Sequence, residues 1–144
     1  MIERVIDMKK IPIGTKSFSR LIEGNYYFVD KTLMIQEFLE RGTDVTLITR
    51  PRRFGKTSII DMLGAYYTKT VDSKDLFDKL NISTTDDYLK HLNKYNVISI
   101  SFNKISDKGN TFFEYMNMIK TSLINDIVEK YPHINPNKYF TISD

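Results

Sequence analysis

The sequence predicts an α/β domain, a reduced or truncated phosphate-loop architecture with few, mostly parallel strands flanked by helices, on three observations. Val45-Thr-Leu-Ile-Thr49 is a compact β-branched and apolar run. A basic turn, Arg50-Pro-Arg-Arg-Phe-Gly55, follows at once and closes on Gly55-Lys56-Thr57. Behind it Ile59, Ile60, Leu63, Tyr66 and Tyr67 return at helical spacing as far as about Lys69. Strand, glycine-closed turn and helix in that order is the context in which backbone N–H groups and a helix dipole gather a phosphate.

The other elements follow in chain order. Pro12, Ile13 and Gly14 punctuate the opening segment, and Ser17 to Ile22 suits one helical turn. Gly24-Asn25 makes a tight turn before Tyr26-Tyr-Phe-Val29, whose aromatic and β-branched residues read as a short strand. Asp30 or Thr32 caps the next helix, with Leu33 or Met34, Phe38 and Leu39 on its apolar side and Gly42 as its stop. Asp72 or Ser73 caps a short helix carrying Leu76, Phe77 and Leu80, and Thr84 caps another through Tyr88, Leu89 and Leu92. Val97-Ile-Ser-Ile-Ser-Phe102 alternates as a second core strand. From Thr111 a long helix keeps Phe112, Met116, Ile119, Leu123 and Ile127 in one stripe to about Lys130, and Pro132 ends it. Tyr139-Phe-Thr-Ile142 suits a final short strand. The expected organisation is an N-terminal segment over 1–42, a phosphate-loop core over 43–132, and a tail or the start of a further part over 133–144.

Composition narrows the function classes. With 41% apolar and 27% charged residues in 144, the chain has the make-up of one folded globule, short for a full nucleotide-hydrolysing engine. Cysteine is absent, and His91 and His133 are too far apart in sequence for a zinc cluster, so the expectation is a cytoplasmic protein without disulfides. No apolar run reaches membrane length and no signal peptide precedes the first elements. Charge is unevenly spread: Arg41 to Thr57 holds five basic residues against Asp44 alone, a net +4 in a chain whose total is +3. The positive field is therefore focused on the turn.

In a phosphate loop of the Walker A kind, glycine, four residues and Gly-Lys-Ser/Thr set a lysine over the outer phosphates and a hydroxyl on Mg²⁺. Here Gly55, Lys56 and Thr57 fit, while Arg50 stands at the first glycine position. Taken alone, the pattern is equally that of a solvated basic strand-to-helix turn. Pro51 fixes one backbone dihedral and pushes Arg50 toward an extended conformation.

The run Leu47-Ile-Thr-Arg-Pro-Arg-Arg-Phe-Gly-Lys-Thr57 closely resembles the signature of the AAA-ATPase-like family, prokaryotic P-loop proteins often fused to a PD-(D/E)XK nuclease-like domain. Tyr27-Phe-Val-Asp-Lys-Thr32, Ile13-Gly14 with Phe18, Leu76-Phe77 with Leu80 and Ile82, and Val97-Ile98 with Ser101-Phe102 match further landmarks. The likeness implies an ATP and Mg site built by Arg50, Arg52, Arg53, Phe54, Gly55, Lys56, Thr57 and Ser58, with Lys56 on the outer phosphates and Thr57 on the metal. Arg in place of the first glycine is routine in that family. Arg50, Arg52 and Arg53 are then phosphate, nucleic-acid or intersubunit contacts, or simply a solvated turn. Asp30 and Lys31 are either a helix cap with an exposed neighbour or a partner or interdomain contact.

Hydrolysis also needs an acid at the end of a neighbouring strand. Ser101 and Asn103 occupy that place, and Asp107 is the nearest stand-in. Asp61 reads as a surface residue, and His91 and His133 as structural or exposed. The expectation is thus an ATP-binding domain that does not hydrolyse ATP alone. The alternative is a non-enzymatic inhibitory or binding protein, of phage or mobile-element origin, that sets its basic loop on nucleic acid or a protein partner. An open sheet edge would call for a homo-oligomer or a missing C-terminal half.

Overall fold

The computed structural model describes residues 9–100 and 111–133. They fall into two compact units, one ending at Ser99 and one beginning at Ile100. In the first unit the elements are α1 (Phe18–Glu23), α2 (Leu33–Arg41), α3 (Lys56–Tyr67), α4 (Lys74–Phe77), a 3₁₀ turn (Asn81–Thr84) and α5 (Tyr88–His91); the second holds α6 (Phe112–Lys130).

The α/β expectation is overturned. Among the described residues no strand forms, and parallel pairing is limited to two isolated bridges, Lys10 with Tyr26 and Thr68 with Tyr95. The reason is the absence of neighbours. A strand is held by the N–H and C=O groups of the chain beside it, and β-rich composition supplies none of these. At 45–49 both Val45 and Leu47 are more than four-fifths exposed, and at 97–100 Val97, Ile98 and Ile100 also face solvent. Tyr26 to Val29 contributes one bridge residue and lays Phe28 edge-on against Phe18 at 5.6 Å. Phe102, Tyr139 and Ile142 lie outside the described residues.

The helices follow their signals more closely. Gly42 ends α2 with φ 55°, a left-handed conformation that costs glycine nothing sterically. At α6 the Thr111 side chain accepts from the Glu114 N–H while Glu114 Oε2 accepts from the Thr111 N–H, a reciprocal cap. Asp72 Oδ1 accepts from the Lys74 N–H at the start of α4. Thr84 departs from its expected role: it lies inside the 3₁₀ turn and donates its hydroxyl to the Asn81 carbonyl.

The core of the first unit is aromatic. Ile59, Met62 and Tyr66 of α3 recur on one face and meet Phe18, Ile35, Phe77, Ile82, Tyr88 and Leu92. Phe77 stacks on Phe18 at 4.9 Å and meets Tyr66 edge-on at 5.3 Å. The Tyr66 hydroxyl donates to the Tyr88 carbonyl at 2.7 Å, so a fully buried ring brings its polar end to a partner. Burial pushes the Tyr66 hydroxyl well above the ordinary phenol range. Tyr88 is raised likewise, by burial first and then by donating to Asp78.

Two polar hubs lock this core. Asn93, left-handed at φ 55°, donates from Nδ2 to the Ala65 and Thr68 carbonyls, and its Oδ1 accepts from the Ser73 N–H and hydroxyl. It therefore satisfies carbonyls at the C-terminal end of α3 that the helix leaves open. Asp30 is the other hub: Oδ1 accepts from the Thr32 N–H at 2.8 Å and hydroxyl at 2.6 Å, and Oδ2 accepts from the Asn81 N–H at 2.7 Å. The buried Thr32 hydroxyl in turn accepts from the Ile82 N–H at 3.1 Å, so the clasp joins the start of α2 to the 3₁₀ turn.

Candidate functional site

The basic turn lies between the unpaired segment 45–49 and α3. Gly55, at φ 76°, swings the chain into the helix, and the Ile59 N–H donates to the Gly55 carbonyl as the first helical bond. Arg53 is also left-handed, at φ 67°, a conformation that costs a residue with a Cβ about 1–2 kcal/mol. Pro51, Arg52, Arg53, Phe54 and Thr57 are exposed together with Arg50, while Lys56 and Ser58 are half-buried.

Lys56 does not reach outward. Its ammonium donates to the Arg50 carbonyl and, at 2.9 Å, to the Pro51 carbonyl, tying the turn to its own helix. Arg50, Arg52 and Arg53 enter no ion pair among the described residues. The cations left facing solvent are therefore the three arginines, not the lysine.

Beside the turn a groove of about 390 Å³ runs between α2 and residues 46–50. Met34, Phe38, Leu47, Phe54 and Ile59 give it apolar walls, and Lys31, Arg41 and Arg50 add positive charge. Glu37 is its carboxylate and lies 3.8 Å from the Arg41 guanidinium. Lys31 also lines a smaller cavity with Gly55 and Ser58, which brings it to the turn although it is 19 or more residues distant in sequence. Its neighbour Asp30 is engaged in the clasp. The arrangement brings Lys31, Arg50, Phe54, Gly55 and Ser58 together and turns Arg52 and Arg53 to solvent.

The expected ATP and Mg site is overturned by this geometry, and with it the reading of the chain as an ATP-binding P-loop domain. A phosphate loop is hung from a paired strand that fixes the loop against the helix, and none exists among the described residues. The Lys56 ammonium is engaged with carbonyls of the turn, so it is not aimed at outer phosphates. No group of three His, Asp or Glu side chains among the described residues is placed to hold a metal. Asp107, Ser101 and Asn103 lie outside the described residues. Asp61 is exposed as expected, but it has a task the sequence did not reveal: Oδ2 accepts from the Phe18 N–H at 2.6 Å and pins α1 to α3. His91 stacks on Tyr95, and His133 meets Tyr131 edge-on.

Sequence reasoning missed the Asn93 hub, Arg53's left-handed backbone and the part of Arg41 and Glu37 in the groove. Asn93 carried a signal, since asparagine tolerates left-handed backbone better than other residues with a Cβ. Arg53 carried none. No helix among the described residues is long and apolar enough to cross a membrane.

Comparison with known proteins supports the likeness read from the motifs. A curated relative, the "Uncharacterized protein in vnfD 5'region" of Azotobacter chroococcum mcd 1, is 37% identical over 95 residues, which is 65% of this chain and 17% of the relative. The chain thus spans less than a fifth of that relative's length. No solved structure matches. The model of the AAA-ATPase-like family, described as "Predicted AAA-ATPase", matches residues 12–142. That span takes in both the Tyr27 to Thr32 motif and the basic turn, and the chain belongs to the AAA-ATPase-like family.

Proposed function

We propose that the turn from Arg50 to Gly55 is a contact surface for the sugar-phosphate backbone of nucleic acid. The observation that carries this reading is the exposure of Arg50, Arg52 and Arg53 on one turn without an acidic partner among the described residues. Guanidinium groups are planar forks that match phosphate oxygens, and three of them on six residues are a stronger attraction for a polyanion than for a single small anion. Lys56, folded beneath, holds the turn in the shape that presents them. The net +4 concentrated between Arg41 and Thr57 adds a field that draws such a partner in.

Three phosphate contacts set the expected salt response. Affinity should fall about 20- to 40-fold between 50 and 200 mM salt, the lower figure for a single strand and the higher for a duplex. Fluorescence anisotropy with labelled oligonucleotides measures this, and the Arg52→Glu, Arg53→Glu double variant should lose binding at both salt concentrations. Equal binding by the double variant, or no binding by the native chain at low salt, defeats the reading.

A further inference from the structure

We infer that the nucleic acid taken by this turn is single-stranded, with one unpaired base lodged in the groove against Phe54; this rests on the reading just given. Phe54 is 59% exposed, in the same turn as the three arginines, so most of an apolar ring is left in solvent. An exposed ring that directly follows exposed guanidinium groups is what stacks a base while the adjoining phosphates are neutralised. A duplex keeps the faces of its bases covered by their neighbours and leaves such a ring without a partner.

The space beside the ring fits this occupant. At about 390 Å³ the groove lies within the range of sites that enclose small flat molecules, about 300–1,000 Å³. Phe38, Met34 and Leu47 offer apolar surface to a base, and Lys31 and Arg50 flank it with charge for the adjoining phosphates. The groove's carboxylate, Glu37, faces the Arg41 guanidinium, which offsets its repulsion of the strand. Apolar walls with a cationic margin complement a base joined to phosphates better than they complement a protein's acidic patch, which has charge but no flat apolar body.

The test uses the full chain with a labelled dT oligonucleotide and a duplex of equal length, read by anisotropy at one low salt concentration. The native chain should prefer the single strand. Phe54→Ala should lower the ratio of single-strand to duplex affinity by about 5- to 150-fold, the span expected for one stacked base. Phe54→Tyr, which keeps a stacking face, should preserve the ratio. A native chain without single-strand preference, or an Ala variant that retains it with an unchanged melting temperature, overturns the inference. So does a free nucleoside monophosphate that competes as well as the oligonucleotide. In these cases the phosphate-contact reading stands as long as Arg52→Glu, Arg53→Glu still abolishes binding. If the native chain binds neither nucleic acid, both fall.

Discussion

Between Tyr66 and Asn93 the rings have neighbours and the buried polar side-chain atoms have partners, whereas from Asp44 to Gly55 nearly every residue faces solvent. The first region gets its order from contacts distant in sequence, as when Asn93 reaches back to Ala65. Order in the second comes largely from its own chain, as when Lys56 reaches back to Arg50 and Pro51. The difference separates two tasks. A packed region resists change because its buried side chains are already engaged, while a turn held at its base leaves its guanidinium groups free to engage something else.

The comparison is broken most severely by opening a cavity in the packed region. Phe77→Ala removes a fully buried ring that touches Phe18 and Tyr66, and should lower stability by about 3–5 kcal/mol in denaturant titration. A loss under about 1 kcal/mol would mean that the aromatic cluster does not hold the first unit together. A smaller break comes from Asn93→Ala, which strands the Thr68 carbonyl and the Ser73 N–H, while the Ala65 carbonyl keeps the Ser73 hydroxyl; about 1–3 kcal/mol should be lost in the same titration. The turn should respond in the opposite sense. Arg53→Gly relieves a left-handed backbone and should leave stability unchanged or raise it by up to about 1 kcal/mol, while weakening nucleic-acid binding through the lost charge. Destabilisation by that change would show that the arginine side chain itself supports the turn.

How much of this could be read from sequence depended on whether the signal was local. Gly42 as the stop of α2, Thr111 as the start of α6 and Ile59 with Tyr66 on the packed side of α3 are properties of a few adjacent residues, and each stands in the structure, although Met62 is buried on that side and the expected Ile60 is exposed. β-propensity at 45–49 and 97–100 is only half of a strand. The other half is a neighbouring chain segment that the run itself does not specify, and so the α/β reading failed although the composition was identified correctly. At the site, the clustering of charge was legible because it needs only counting. The direction of the Lys56 side chain was not, because glycine-lysine-threonine spacing is the same whether the amine reaches outward or folds back on its turn. The clasp was partly legible: Asp30 was a plausible cap, but its second oxygen on Asn81 depends on packing that brings together positions 51 residues apart.

That clasp also sets the entropy of whatever the turn does. By joining Asp30 to Asn81 and Thr32 to Ile82, it closes a loop that runs through α2, the turn, α3 and α4, so the arginines are carried on a segment whose ends are already tied. Bringing the ends of such a loop together is a cost met once, during folding. A ligand that later orders the turn restricts a short tethered excursion instead of a free chain, and more of its contact energy is left over as affinity.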